Sequence, residues 1–212
     1  MNAFTAPPCN DPSPGLRHGP SHNWRPFLTL IMAMSVNGII SRAADESVST
    51  WSSAEDKAHL DRMIAQHKTV ITGRESFAAT RSNAPSPHKP LKDGVRYYVL
   101  THDEALWRKS APPVTYLGGT AEDVLRRMKA EGVDRAALLG GPRTNAAFLN
   151  GGYVDEMFLT IEPALFCTGR GLCEGLMRDD LALELLSAET LNPRGTLLLH
   201  YKALWDSPPK AG

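Results

Sequence analysis

Residues 51–74, WSSAEDKAHLDRMIAQHKTVITGR, hold the two features best suited to chemistry, Asp56 and the Gly73-Arg74 pair. On a helix turning 100° per residue, Leu60, Met63 and His67 fall within about 40° of Asp56, and Ile64 about 80° away. Asp56 therefore shares the apolar stripe that faces a core, while Glu55, Lys57 and Asp61 lie outside it. A carboxylate on that stripe is costly unless paired, and burial raises its proton affinity. Such a group can bind a polar N–H edge or assist a protonation. The plainer reading, a cap or helix-dipole partner, stands beside it. Downstream, Thr69 to Thr72 reads as a strand ending on Gly73-Arg74, a turn whose amides and guanidinium suit a phosphate.

A second anion-binding turn lies in LLGGPRTNAAFL. A buried strand over Ala136–Leu139 runs into Gly140-Gly141, and the helix that follows has first-turn amides free for phosphate oxygens. Arg143 adds positive charge there. Neither GxGxxG nor GxxxxGK[ST] occurs, so both the Rossmann fingerprint and the P-loop are excluded. Thr101-His102 closes a third strand. Ligands of open α/β sheets bind beyond the carboxyl ends of strands, so the three ends define one candidate cleft. Trp51 reads equally as a lid over a ligand or a core anchor. His59 and His67 lack a metal partner at i+4 and read as ordinary helix residues. Glu162, before a proline at a strand end, reads as a solvated charge. No metal is expected, since Cys167 and Cys173 enclose TGRGL, which matches no zinc spacing.

Elements must place these groups. Phe27–Met34 is a near-continuous apolar run, the mark of a strand buried on both faces. SVNG breaks it, and Asn37-Gly38 tolerates positive φ. Residues 41–50 read as a polar connection. Ser52 or Ser53 caps the helix from Ala54. Residues 75–94, with Pro85, Pro87 and Pro90, read as a short helix and a long surface loop. Strands are predicted over Val95–Thr101 and Val114–Leu117. Thr120 caps a helix whose apolar side is Val124, Leu125 and Met128. Asn145–Leu149 is a short helix, Val154–Ile161 a strand, and residues 183–191 and 196–204 a hairpin joined by Asn192-Pro193-Arg194-Gly195. Alternating strands and helices ending in a hairpin predict a mostly parallel α/β sheet flanked by helices, with an antiparallel C-terminal hairpin.

The chain has 212 residues, 42% hydrophobic and 22% charged, with 23 basic against 23 acidic residues. One globular domain follows, expected over residues 25–206, between a Pro-rich tail (1–24) and a short C-terminal tail (207–212). Zero formal net charge gives no general attraction to nucleic acid or a membrane surface, and no apolar run reaches the eighteen or so residues of a membrane span. Three cysteines make no disulfide framework. With no secretory signal pattern, a cytoplasmic location is expected.

Five blocks in order, IMAMSVNGII, WSSAEDKAHL, VITGRESF, LLGGPRTNAAFL and VDEMFLTIEP, resemble the dihydrofolate reductase-like superfamily over about residues 26–204. The segment PALFCTGRGL and the early SVNGIIS are most similar to the riboflavin-pathway pyrimidine reductases. The resemblance implies an NADPH-dependent reductase. By it, Ala33 and the loop Asn37, Gly38, Ile39 flank the nicotinamide. Gly73, Arg74, Glu75 and Ser76 hold the phosphate and adenosine side, with Thr101 near the ribose. Gly140, Gly141, Arg143 and Thr144 hold the pyrophosphate. Asp56 falls at the substrate-binding carboxylate and Thr160 at its hydrogen-bonding threonine, both carried here as catalytic, with Trp51 and Glu55 beside the substrate. Arg74 and Thr101 suit a 2′-phosphate, so NADPH is expected over NADH. The implied acceptor is a ribosylamino-pyrimidine, its phosphate met by Arg42, Arg81 or Arg170. A dihydrofolate or dihydropterin is the alternative, and a non-catalytic NADPH-binding protein the rival of another class. A homodimer is implied by the same similarity.

Overall fold

The computed structural model describes residues 24–43, 46–82, 91–176 and 181–205. The expected N- and C-terminal tails lie outside these, apart from Trp24, as does most of the Pro-rich loop after residue 82. An eight-stranded sheet carries the fold, built from β1 (Phe27–Ser35), β3 (Thr69–Gly73), β4 (Arg96–Leu100), β5 (Val114–Leu117), β6 (Arg135–Leu138), β7 (Glu156–Glu162), β9 (Ala182–Thr190) and β10 (Leu197–Leu204). Its order is β5-β4-β3-β6-β1-β7-β10-β9, parallel up to β7 and antiparallel at the β7–β10 and β10–β9 pairs. Mostly parallel with an antiparallel C-terminal hairpin is the predicted class.

β1 is central because both of its faces are apolar. On one face Leu28, Leu30 and Met32 join a core with Val124, Leu125 and Met128 of α4 (Ala121–Ala130) and Phe148 and Leu149 of α5 (Pro142–Asn150). On the other, Ile31 meets Met63 of α1 (Ala54–His67), while Ile64 packs with Val70 and Val99, and Phe77 of α2 (Arg74–Ser82) leans on that cluster. At the start of β1, Arg25 forms a two-pronged ion pair with Asp155 at 2.7 and 2.8 Å, and Asp155 also accepts from the Leu28 amide at 2.7 Å. That pair fastens the turn before β1 to the base of β7.

The inner stripe of α1 is as the wheel predicts for Asp56, Met63, Ile64 and His67, all buried. His59 is buried too. Its ring lies 5.2 Å from Phe158, which stacks on His200 at 4.0 Å. His67 is held by Met63 O at 2.8 Å and Thr29 Oγ1 at 3.0 Å. The helix ends on Lys68, in the left-handed region at φ 54°, whose amide donates to Ile64 O.

Three short elements escape the sequence reading: β2 (Ile39–Ser41) and β8 (Arg170–Gly171), which form a separate two-stranded ladder, and α3 (Glu104–Trp107). The polar connection 41–50 also holds a 3-10 turn over Val48–Thr50. Gly73-Arg74 is not a free turn, because β3 runs through Gly73 and α2 starts at Arg74.

Candidate active site

A cleft of roughly 1050 Å³ opens along the carboxyl ends of β1, β3 and β4. Two helix N-termini face it. α5 has Gly141 as its N-cap, with no side-chain cap and Pro142 in its first turn, so the amides that follow carry no partner from a capping side chain. The first residues of α2, Arg74 to Ser76, line the same space.

Glycine is required where the two strand ends touch. The Gly73 amide donates to Gly140 O at 2.8 Å, and Thr72 Oγ1 donates to the same carbonyl at 3.2 Å. A Cβ on Gly73 would come within 2.7 Å of Thr144 Oγ1, and one on Gly141 within 2.8 Å of Ser76 Oγ. Gly140 has φ of +82°, a conformation side chains strain to adopt. The Gly141 amide donates to Ser76 Oγ at 3.0 Å, locking α2 to the start of α5. Around this cradle stand exposed Arg74 and Arg143. Glu75 is bound to Arg170 at 3.0 Å, and this neighbour holds its carboxyl below the usual range. Thr101, at the end of β4, lines the cleft and accepts from the Asp103 amide at 3.1 Å.

The other half of the cleft belongs to α1. Asp56 is 5% exposed and lines it together with Lys57, Leu60 and Ile64, opposite Ile31 and Ala33 of β1. Burial pushes its carboxyl above the ordinary aspartate value. The hydroxyls of Thr160 and Ser52 draw it partly back, and the Glu162 carboxylate adds to the rise. Ser52 Oγ is buried without a well-directed hydrogen bond.

Ala33, Asp56, Gly73, Arg74, Glu75, Ser76, Thr101, Gly141, Arg143 and Thr144 are thus brought to one cleft. Its described lining does not include Asn37, Gly38, Ile39, Trp51, Glu55, Gly140 or Thr160. Gly140 sits just behind the cradle, and Thr160 is buried beneath Asp56. Asn37 works as a staple: its Oδ1 accepts from Ser35 Oγ at 2.8 Å and from the Phe166 amide at 3.2 Å, and its Nδ2 donates to Phe166 O at 2.7 Å. Trp51 is half-buried and packs edge-on against Phe166 at 5.1 Å. The Glu55 carboxylate turns to the C-terminal hairpin and accepts from Asn192 Nδ2 at 3.0 Å.

Glu162 is the residue that sequence reasoning misjudged. It is 5% exposed rather than solvated. One carboxylate oxygen accepts from the Ser53 amide at 2.7 Å, the other from Thr196 Oγ1 at 2.8 Å. The signal available was its place two residues after Thr160 on the same strand, and hence on the same face.

Comparison with known proteins agrees with this architecture. The model of the RibD C-terminal domain family matches residues 26–197. A Corynebacterium diphtheriae pyrimidine reductase-like protein superposes with a TM-score of 0.67 at 16% identity, over 89% of this chain and 96% of that one. Acinetobacter baumannii RibD gives 0.65 at 20% identity over 85% of this chain, which spans 58% of that protein's length. A Thermotoga maritima diaminohydroxyphosphoribosylaminopyrimidine deaminase/5-amino-6-(5-phosphoribosylamino)uracil reductase gives 0.65 at 15% identity, with 85% and 57% covered. A comparison with curated proteins gave no match. At these identities the solved structures establish the fold, which is dihydrofolate reductase-like, and the family match establishes membership: the chain belongs to the RibD C-terminal domain family.

Proposed function

We propose that the chain is an NADPH-dependent reductase that delivers hydride to the C=N carbon of an amino-heterocycle of the ribosylamino-pyrimidine type. One observation carries the reading: a glycine cradle between two helix N-termini and a buried, proton-avid carboxylate open onto the same cleft. The cradle fits a pyrophosphate, because the start of α5 lacks a side-chain cap and a Cβ at Gly73 or Gly141 would fill the turn. NADPH, when bound, supplies the hydride. Arg74 and Thr101 favour the 2′-phosphate, and Arg143 with the first-turn amides of α5 favours the pyrophosphate. Asp56 binds the acceptor's N–H edge and holds a proton near the imine nitrogen, with the Thr160 hydroxyl beside its carboxyl. The apolar wall of Leu60, Ile64 and Ile31 excludes water from that side.

Of the three arginines considered for an acceptor phosphate, Arg42 is chelated by Glu46, and Arg170 lies between Glu75 and Glu174. Arg81 instead lies over the Phe77 ring. Among the described residues, Arg81 and Lys57 line the cleft with no carboxylate in ion-pairing distance, and they are the cations proposed for the phosphate. The apolar surface of Leu60, Ile64, Phe77, Leu91 and Tyr97 between them also suits the aromatic extension of a dihydrofolate, the second reading. NADPH consumption with each acceptor, beside a methotrexate titration, separates the two. Turnover of the pyrimidine without antifolate binding supports the first. An NADPH titration that saturates while neither acceptor is reduced supports a non-catalytic binder.

A further inference from the structure

Two helices of the chain start with nearly the same four residues, Ser53-Ala54-Glu55-Asp56 in α1 and Thr120-Ala121-Glu122-Asp123 in α4. Each is a capping-box sequence, in which the third helical residue reaches back to the amide of the N-cap. In α4 the box is complete. The Asp123 amide donates to Thr120 Oγ1 at 3.2 Å, and Asp123 Oδ2 accepts from the Thr120 amide at 2.9 Å and from its hydroxyl at 2.7 Å. In α1 only half of it forms. The Asp56 amide donates to Ser53 Oγ at 3.2 Å, but the Ser53 amide donates to Glu162 Oε1 at 2.7 Å, from a strand 109 residues away. The aspartate that local sequence would fold back onto its own cap is left facing the cleft.

We propose that Glu162 is a positioning residue: by occupying the Ser53 amide it keeps Asp56 out of a capping box and turned toward the ligand. The assignment of Asp56 as acceptor ligand rests on the function proposed above; the competition for the Ser53 amide does not. Glu162 is itself fixed, since Thr196 Oγ1 donates to its second oxygen at 2.8 Å and Asn192 Nδ2 donates to that hydroxyl at 3.0 Å. With both oxygens taken and the side chain buried, Glu162 does not reach the ligand and acts through Asp56. The hairpin that ends the sheet is thereby wired to the N-terminus of the site helix, and Glu55, bound to Asn192, doubles the connection. The charged groups acting on Asp56 are Lys57 from its own helix and Glu162 from β7. The closed box shows the opposite electrostatics: its hydrogen bonds to Thr120 hold Asp123 below the ordinary carboxylate value, whereas Asp56 lies above it.

The test follows the Asp56 carboxyl by carbon NMR titration in the full chain without ligand, together with exchange of the Ser53 amide and NADPH-dependent turnover. Glu162→Gln keeps an oxygen for the Ser53 amide, so Asp56 stays in the cleft and its titration moves only by loss of the neighbouring charge. Glu162→Ala removes that oxygen. Asp56 then swings to the Ser53 amide, its titration drops below the ordinary aspartate value, the amide stays protected, and turnover falls about 100-fold with NADPH affinity unchanged. Adding Ser53→Pro to Glu162→Ala deletes the competing N–H and returns the titration upward; the φ of −65° at Ser53 admits proline. The proposal is overturned if Glu162→Ala leaves Asp56 titrating as in Glu162→Gln while the Ser53 amide exchanges freely. If the NMR shifts appear as stated and the native chain reduces no acceptor, the positioning role stands and the proposed function fails.

Discussion

At the scale of single residues, Asp56 was legible because helical geometry is local: fourteen residues suffice to place it on the stripe that α1 buries. Glu162 was not, because its burial is made by Ser53 and Thr196, 109 and 34 residues away in the chain. Asp56→Asn is expected to lower acceptor turnover 100-fold or more while leaving the NADPH dissociation constant unchanged, measured by steady-state kinetics and a fluorescence titration. The same variant has a stability signature. Asp56 titrates higher in the folded chain, so its ionised form opposes folding, a cost absent below the unfolded pKa and fully felt above the folded one. The asparagine variant is therefore more stable than the native chain near pH 7, and denaturant titrations at falling pH bring the two together.

His59 gives the opposite sign. Burial, with Arg62 and His200 nearby, lowers it from 6.5 to about 4, so it is neutral when folded. That contribution is present above pH 6.5 and is lost as the pH falls from 6.5 through about 4. Complete loss is worth about 3 kcal/mol. His59→Phe should remove up to that much of the acid destabilisation, read from unfolding free energies at pH 7 and 4.5. An unchanged pH dependence would show that His59 is not the group responsible.

At the scale of elements, the strong periodicities gave β1, α1, β3, β4, α4, β6 and the hairpin, since each buries a face wide enough to pattern the sequence. β2, β8 and α3 carry no such pattern, being three, two and four residues long. β2 and β8 are fixed by contact with each other and by the Asn37 staple. A Cβ on Gly169, at φ of +150°, would come within 2.4 Å of Ile39 Cγ2 and Ser41 O. That contact explains why SVNGIIS and PALFCTGRGL act as one unit beside the cleft. The glycine cradle was read from its motif, but its partners Thr144, Ser76 and Met32 required the fold. Gly140→Ala should cost about 1–2 kcal/mol in the left-handed backbone alone, with further strain from Met32 Sδ at 2.9 Å from the new Cβ. It is expected to weaken NADPH binding at least tenfold, by titration, and to lower Tm. Arg74→Ala is expected to weaken NADPH about tenfold and leave NADH unaffected, so equal losses for both would remove Arg74 from the 2′-phosphate.

At the scale of the whole molecule, the sheet has two edges, β5 and β9, and β9 is the longer at 9 residues. Leu183 and Leu185 stand opposite Ala203 and Tyr201, and Leu185 is 53% exposed. Among the described residues this edge has no further strand beside it, and exposed leucines on such an edge invite a second strand or face; we propose that a homodimer forms through it. Light scattering should give a dimer mass that Leu185→Lys reduces to the monomer. The mostly parallel sheet and its antiparallel end were deducible from the alternation of elements and the terminal hairpin; the strand order β5-β4-β3-β6-β1-β7-β10-β9 was not. The joining of hairpin to α1 through Asn192, Thr196 and Glu162 was not, because nothing local marks it.

The central claim is that one cleft holds both a nicotinamide cofactor and an acceptor bound by Asp56. It is tested most directly by single-turnover mixing of NADPH deuterated at the transferred position of C4 with 5-amino-6-(5-phosphoribosylamino)uracil, in native chain and in Asp56→Asn. The account predicts deuterium on the acceptor's former C=N carbon in the native chain, with little or none in the variant at equal NADPH occupancy. Equal transfer by both, or NADPH bound by the native chain with no deuterium in this acceptor or in dihydrofolate, would contradict it.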